Sequence, residues 1–257
     1  MRTDLRTCSR VSIVGAVALL AACNMRAPVT ELSGQCLDLF GGTACTWAQV
    51  QRDRVVALGA TIPISSIEAA PAEAEMTWPP RASAQLMLPD AAQRATGMTH
   101  LTIFWEPHGH PPGAFLTPHF DFHFYGISPE QRLAIDCKDL SKPASLPAGY
   151  NLPDAEIPGI GMLIGICVPQ MGMHSLLESA YTATTTFDAT MVVGFYRGAV
   201  IFTEPMVARA HLLKKQDFTL PTPGLPRTDG VHYPTEFRAV YDASAQAYRF
   251  VFTGFGT

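Results

Sequence analysis

One seven-residue stretch, HFDFHFY at residues 119–125, constrains the fold more than any other part of the chain. Read as a β-strand, it places His119, Asp121 and His123 on one face and three phenylalanines on the other, because side chains alternate along a strand. The aromatic face belongs in a core. A polar face made of histidine and carboxylate is what a metal site or a general acid/base site requires.

The chain begins with a segment typical of export. Three arginines precede the apolar run VSIVGAVALLAA at residues 11–22, which is shorter than the about 20 residues of a membrane-spanning helix. The run ends in Leu-Ala-Ala-Cys, which resembles a bacterial lipoprotein signal and predicts lipidation of Cys23. We therefore expect a signal peptide at 1–22, a lipidated tether at 23–42 and a protein anchored by lipid in the cell envelope, facing the periplasm or the extracellular side. An ordinary secretory signal with an incidental cysteine is the alternative.

Charge and composition narrow the class of the mature chain. Loss of residues 1–22 removes three arginines and one aspartate, and leaves 15 basic and 21 acidic side chains. This balance excludes the basic surface of a nucleic-acid-binding protein. Twenty-one prolines and 20 glycines favour a mainly β protein, an antiparallel barrel or sandwich with short helices and long Pro/Gly-rich loops. The length fits one large domain or two small ones, and we predict a single domain at 43–257.

Four cysteines remain beyond Cys23, and an even number in an exported protein favours disulfides. Three pairings can be drawn. The pairing Cys36–Cys45 with Cys137–Cys167 closes a short glycine-containing loop and a proline-rich loop, and it is preferred. A zinc site built from all four thiolates is the alternative, although the chain has no C-x2-C spacing to support it.

The pattern of apolar runs and turns predicts several strands. We expect strands at 43–51 and 54–64, a strand at 98–106 paired with the strand at 120–126, a hairpin at 190–204 around Arg197-Gly198, and a last hairpin at 237–252. Residues 24–35 read as a tether, and residues 206–214 fit a short helix or a strand equally well.

Several short motifs together resemble one family. They are Gly-His-Pro-Pro at 109–112, Pro-His-Phe-Asp-Phe-His-Phe-Tyr at 118–125, Met-Gly-Met-His at 171–174, and a Tyr-Arg-Gly hairpin that ends in Phe-Thr-Glu-Pro-Met at 202–206. Over roughly residues 43–253 they resemble the TTHB210-like, or DUF5602, proteins of bacteria. The resemblance implies a mostly β, export-associated protein and a homo-oligomer that assembles into rings. It implies no activity, and Cys137 and Cys167 have no counterpart in its pattern.

Strand geometry limits which histidines can share one ion. Residues four apart on a regular strand are separated by about 13 Å, too far for His119 and His123 to bind the same metal. We therefore predict a mononuclear site built from separate segments, with the ligands His110, His119 and His174 and the carboxylate of Glu204 or Asp121. Zinc is the first expectation, with copper, manganese or iron as alternatives.

The remaining polar residues have other predicted roles. Asp121 either binds the ion or orients a ligating histidine. His123 is an alternative ligand or a core histidine, and His108 fits an ordinary loop residue better than a ligand.

Two functions of different classes fit these observations. The first is an exported metal-binding lipoprotein, and an open coordination position would extend it to a metalloenzyme for hydrolysis or decarboxylation of an unknown small molecule. The second is a non-enzymatic, self-assembling envelope or stress-response protein. In that reading the His/Asp cluster is a buried polar network that fixes strand register.

Overall fold

The computed structural model describes residues 27–74, 77–228 and 230–256. The predicted signal peptide and Cys23 lie outside these residues. Within them fifteen strands pair, always antiparallel. The strands are β1 Val29–Leu39, β2 Gly42–Gln51, β3 Arg54–Pro63, β4 Ala84–Met87, β5 His100–Glu106, β6 His119–Tyr125, β7 Tyr150–Asn151, β8 Ala155–Ile157, β9 Gly161–Leu163, β10 Met173–Leu177, β11 Ala189–Tyr196, β12 Ala199–Ala208, β13 Phe218–Leu220, β14 Glu236–Asp242 and β15 Ala247–Thr253.

The helices are all short. They are α1 Ile64–Glu68, α2 Asp90–Thr96, α3 Pro129–Leu133, α4 Glu178–Tyr181 and α5 Arg209–Leu212, together with 3-10 turns at Gly113–Phe115 and Ile164–Ile166. In the described part of the chain, none of them has the length and apolar character that crossing a bilayer requires.

The strands form two large sheets and one small one. The first sheet has the order β1-β2-β3-β15-β14-β13, the second has the order β4-β5-β6-β12-β11-β10-β7, and β8 pairs with β9 alone. The predicted mainly β class is confirmed. Of the two predicted architectures the sandwich is the one that forms, because neither large sheet closes on itself among the described strands.

The core between the two large sheets contains the phenylalanines of β6. Phe122 meets Phe250 of β15 with ring centroids 4.6 Å apart, and Phe124 meets Phe252 at 4.9 Å. All four rings are fully buried. This face of β6 is the one that the alternating sequence assigns to the core.

The opposite face of the second sheet is also buried. A separate apolar cluster covers it, to which Phe104 and Phe202 contribute from the sheet and Phe115, Ile166 and Met171 from the loops. Because loops cover this face, the histidines and the aspartate of β6 lie under protein and not in water. A sheet buried on both faces explains why so few of its residues are charged.

One assignment made from the sequence needs correction, and one that the sequence left open is resolved. Residues 29–39, expected to be a tether, form β1, which pairs with β2 through a register that includes Cys36 opposite Cys45. Residues 206–214 are neither helix nor strand alone, because β12 runs to Ala208 and α5 follows at once. The predicted strands at 43–51 and 54–64 and the two predicted hairpins are present with nearly the expected bounds.

The preferred cysteine pairing is also present. Cys36 bonds Cys45, linking β1 to β2, and Cys137 bonds Cys167. The second bond ties the loop after α3 to the 3-10 turn at Ile164–Ile166. That turn borders the polar cluster, so the bond supports the layer of loops over the second sheet.

Candidate metal centre

The polar face of β6 supplies three side chains to one buried cluster. His119 and His123 are 0% and 1% exposed, and Asp121 is 5% exposed. Polar groups at such depth require partners, because each one left unpaired costs about 1–3 kcal/mol. The partners come from the loop before β6 and from β10 and β12.

His110 reaches the cluster because the loop at 107–118 folds back against the end of β6. Gly109 has a φ of +67°, and a Cβ there would overlap the backbone of Phe115 and Thr117. Only glycine permits this close approach. The fold-back places the His110 ring 4.8 Å from the His119 ring, centroid to centroid.

Three side chains form what we call the outer triad, His110, His119 and Asp121. The Nε2 of His119 lies 3.3 Å from one carboxylate oxygen of Asp121, and the Nε2 of His110 lies 3.7 Å from the other. The His110 side chain is 36% exposed, so this triad has an edge open to solvent.

Three further side chains form the inner triad, His123, His174 and Glu204, all of which are buried. The Nε2 of His123 lies 3.3 Å from the Nε2 of His174 and 3.3 Å from a carboxylate oxygen of Glu204. The pairing of β6 with β12 sets Glu204 beside His123, since it aligns Met206 with Asp121 and Thr203 with Phe124.

His174 reaches the same place from β10 because one glycine leaves room for an aromatic ring. His174 pairs with Gly194 of β11, and Gly194 pairs with Phe202 of β12. A Cβ on Gly194 would overlap the Phe202 ring. That ring lies 4.6 Å from His123 and 5.2 Å from His174, so it forms the floor of the inner triad.

Backbone carbonyls fix the tautomers of three of the four histidines. The Nδ1 of His110, His119 and His174 lies 2.8–2.9 Å from a carbonyl oxygen, of Pro111, Thr117 and Ile166 respectively. A carbonyl can only accept, so each Nδ1 carries the proton. When the ring is neutral, Nε2 then holds a free electron pair directed at its triad, as in the usual arrangement around a metal-binding histidine.

The electrostatics of the two triads differ. In the outer triad burial disfavours the charged forms, but the attraction between the histidines and Asp121 is stronger. The contacts with Asp121 raise the pKa of His110 to about 9. The two histidines in turn hold the pKa of Asp121 well below its usual range. In the inner triad burial prevails. It lowers the pKa of His123 and brings that of His174 to about 4, and burial together with the charge of Asp121 raises the pKa of Glu204 far above 4.5.

Several buried polar atoms of the cluster have no hydrogen-bond partner. They are Nε2 of His119, Oδ1 of Asp121, Nδ1 of His123 and Oε2 of Glu204. Native proteins keep few such atoms without a reason. Three of these four face another member of their own triad at 3.3 Å without forming a hydrogen bond.

The separations within each triad suit a bound ion. Zinc binds nitrogen and carboxylate oxygen at about 2.0–2.2 Å, so two of its ligands lie at most about 4 Å apart. Two pairs in each triad meet this limit, at 3.3 and 3.7 Å in the outer triad and 3.3 Å twice in the inner one, and all ligand atoms of a triad lie within 4.8 Å of one another. Nitrogen and carboxylate donors of this kind suit zinc, copper, manganese and iron.

The sequence-predicted ligands are all in the cluster, but they do not form one set. His110 and His119 belong to the outer triad, whereas His174 and Glu204 belong to the inner one. The predicted mononuclear site is therefore divided in two, with Asp121 and His123 completing the halves. His108 is outside both, exposed and 3.1 Å from Glu73.

One acidic residue near the cluster escaped the sequence analysis. Glu106 ends β5 directly opposite His119 and is buried. Burial and the negative charge of Asp121 raise its pKa to about 7, against the opposing effect of His110. Glu106 could have been predicted from the sequence, because pairing the strand at 98–106 with that at 120–126 puts Glu106 on the same face as the histidines.

A cavity of about 520 Å³ opens onto both triads. Its polar lining comes from Thr77, from Glu106 and from five of the six triad residues, all but His119. Its other walls are largely apolar and come from β8, β9, the turn at Ile164–Ile166 and β11. A ligand of moderate size could therefore reach the centre.

No curated protein and no solved structure matches the chain. One family model matches part of it, from the end of β2 to the end of β5, just before the loop that carries His110. That model is TTHB210-like, described as hypothetical protein TTHB210, and over residues 50–105 the chain is similar to this family.

Proposed function

We propose that this protein binds divalent transition-metal ions, zinc first, with one ion at each triad. His110, His119 and Asp121 would hold the outer ion, and His123, His174 and Glu204 the inner one. Copper, manganese and iron are the alternatives that the same donors accept.

The observation that carries this proposal is the convergence of histidine nitrogens and carboxylate oxygens in two buried groups, several of whose atoms have no hydrogen-bond partner. In the inner triad His123 and His174 are held neutral, and their Nε2 atoms meet at 3.3 Å. A bound cation would take an electron pair from each of these two nitrogens and give the unpaired oxygen of Glu204 a partner. It would also restore the ionised form of Glu204, which burial otherwise opposes.

The arrangement also supports a reaction. Each triad supplies three protein ligands, one fewer than the four of a closed zinc site, and an ion held by three ligands supplies Lewis-acid and water-activating chemistry. Glu106, with a pKa near 7, is suited to exchange protons with a group bound beside the outer triad. We include hydrolysis of a small molecule in the proposal on these grounds.

The proposed location is the cell envelope. Export and lipidation at Cys23 are proposed from the signal sequence, and two disulfides suit an oxidising compartment. Replacing Cys23 by alanine should abolish incorporation of labelled lipid and release the protein from membranes. Membrane fractionation equal to that of the wild type, with no lipid label in either protein, would refute the anchor.

Metal analysis tests the main proposal. Protein purified without an affinity tag and equilibrated with zinc should hold two ions per chain by mass spectrometry of the metal. His119→Ala and His174→Ala should each reduce the count to about one, because each removes a ligand from a different triad. His108→Ala is the matched control and should leave two ions, since His108 lies outside both triads.

The alternative function predicts another pattern. If the cluster only fixes strand register in a self-assembling envelope protein, wild type and variants should all lack metal, and His119→Ala should lower stability alone. That result would overturn the proposal.

A further inference from the structure

The cavity over the two triads has a composition that specifies its ligand. Its walls include Leu163, Ile166, Val168 and Val192, and its polar lining is concentrated at the triads. A cavity of about 520 Å³ lies within the range of about 300–1,000 Å³ that is usual for small-molecule sites. A ligand that fits it has an apolar body and one polar end.

The entrance to this cavity is apolar as well. Trp78 and Ile160 line the cavity and are 40% and 42% exposed, which places them at its mouth, although large apolar side chains are normally covered. Ile160 lies in the turn of the β8–β9 hairpin, next to Gly161. An apolar ligand chain could contact these apolar side chains as it enters the cavity.

The charge at the polar end follows from the proposed function, on which this inference rests. Two divalent ions carry four positive charges, and Asp121 and Glu204 balance only two of them. Even an ionised Glu106 would leave an excess positive charge. An ion held by three protein ligands would have a fourth position for another ligand, and an anionic oxygen is its preferred partner.

The lining distinguishes between kinds of anion. A phosphate or sulfate group has three oxygens to satisfy and is usually held by arginine or lysine. No arginine or lysine is among the described residues that line the cavity. A carboxylate has only two oxygens and needs fewer donors than a phosphate or sulfate, so it suits this lining better.

From these observations we propose that the cavity binds an aliphatic monocarboxylate, with its carboxylate at the metal centre and its chain between the β8–β9 hairpin and the second sheet. The class includes medium-chain fatty acids. A hydrolytic centre would release the same compounds from their esters.

Decanoate is a suitable probe, titrated calorimetrically into the mature chain carrying Cys23→Ser, so that neither lipid nor detergent competes for the cavity. Zinc content is measured in every sample. We expect decanoate to bind the zinc-loaded protein at least tenfold more tightly than the chelator-treated protein, and decanol to bind both forms alike, because only the carboxylate interacts with the ions.

Two variants of one hairpin provide the matched test. Ile160→Glu places a negative charge at the entrance and should weaken decanoate binding at least tenfold with zinc content unchanged. Met162→Glu is the control, because Met162 is 58% exposed in the same hairpin and does not line the cavity. It should bind decanoate as the wild type does.

The possible failures are distinguishable. Zinc-loaded protein that binds no decanoate, or binds decanol equally well, overturns this inference and leaves the proposed function intact. Protein that holds no zinc overturns the proposed function first, and the inference with it.

Discussion

Glu204 shows how a single side chain can cost stability and still serve a site. Its carboxyl group is buried in the inner triad, one oxygen has no hydrogen-bond partner, and burial together with the charge of Asp121 keeps its pKa well above 4.5. A fold without a ligand here would be expected to use an apolar or amide side chain. The acid is therefore better explained by what it binds than by what it stabilises.

This explanation predicts opposite effects of Glu204→Gln on stability and on metal content. Above pH 4.5 the unfolded chain ionises Glu204 while the metal-free fold keeps it protonated, so wild-type stability declines as pH rises toward the folded pKa. The amide lacks this penalty. Denaturation at pH 7–8 should show the metal-free variant to be about 1–3 kcal/mol more stable than wild type, while its zinc content falls to about one ion per chain. A less stable variant with full zinc content would contradict the role given to Glu204.

His100 provides a pH-sensitive group outside both triads. Burial, assisted by the positive charge of Arg132, lowers its pKa to about 3, and its ring stacks on Tyr125 at 4.9 Å. Below pH 6.5 His100 binds a proton in the unfolded chain but stays neutral in the folded chain. The free energy of unfolding therefore decreases as pH falls from about 6.5 toward 3.

Replacing His100 by phenylalanine should remove this contribution and keep the stacked ring. Between pH 7 and 5 the metal-free wild type should lose about 2 kcal/mol more unfolding free energy than His100→Phe, because each pH unit below 6.5 is worth about 1.4 kcal/mol per proton. Urea titrations at several pH values measure the difference. His123 and His174 remain in both proteins, so parallel curves would show that His100 does not contribute.

At the scale of strands and loops, the inner triad depends on one residue with no side chain. Gly194 lets the Phe202 ring lie across β11, and that ring supports both His123 and His174. In a close-packed interior the ring cannot move without displacing its neighbours.

Gly194→Ala should therefore damage the fold and the inner triad together. Overpacking of this kind costs about 1–3 kcal/mol, and displacement of Phe202 should reduce the zinc content by about one ion. Gly113→Ala is the control, since nothing lies within 4 Å of a Cβ at Gly113. Thermal melts measure the stability and metal analysis measures the zinc content. Equal stability and zinc content in the two variants would show that the Phe202 ring has room to adjust.

The strands also show which parts of the fold could be predicted from the sequence. Strict alternation at 119–125 predicts both faces of β6 correctly, because one face meets Phe250 and Phe252 and the other carries the polar cluster. Turn residues locate the hairpin between β11 and β12. The strand β1 was missed because its sequence, VTELSGQCLDL, alternates weakly and most of its side chains are exposed.

The grouping of the ligands could not be predicted in this way. Spacing along β6 correctly separates His119 from His123, but the partner of each depends on how β12 and β10 align with β6. That alignment depends on the order of strands in the sheet, where β11 stands between β12 and β10. Single-strand periodicity carries no information on this order, so His174 and Glu204 were joined to His119 and not to His123.

At the scale of the whole molecule, the two disulfides belong to different layers. Cys36–Cys45 joins β1 to β2 in the first sheet, whereas Cys137–Cys167 lies in the loop layer over the second sheet. Cys167 directly follows Ile166, whose carbonyl accepts the Nδ1–H of His174. The second bond therefore holds a group that orients a ligand of the inner triad, and the first does not.

Replacing each cysteine pair by alanines separates these roles. Both double variants should be less stable, the one without Cys137–Cys167 by about 1 kcal/mol more, because that bond closes a loop of 30 residues against 9. Only that variant should also lose zinc affinity at the inner triad, by about 10–100-fold, the usual effect of freeing the group that orients a ligating histidine. Competition with a coloured chelator, at a temperature where both variants remain folded, measures the affinity. Equal losses in the two variants would mean that zinc binding follows overall stability, and unchanged affinity in both would mean that the Ile166 carbonyl keeps its position without the bond.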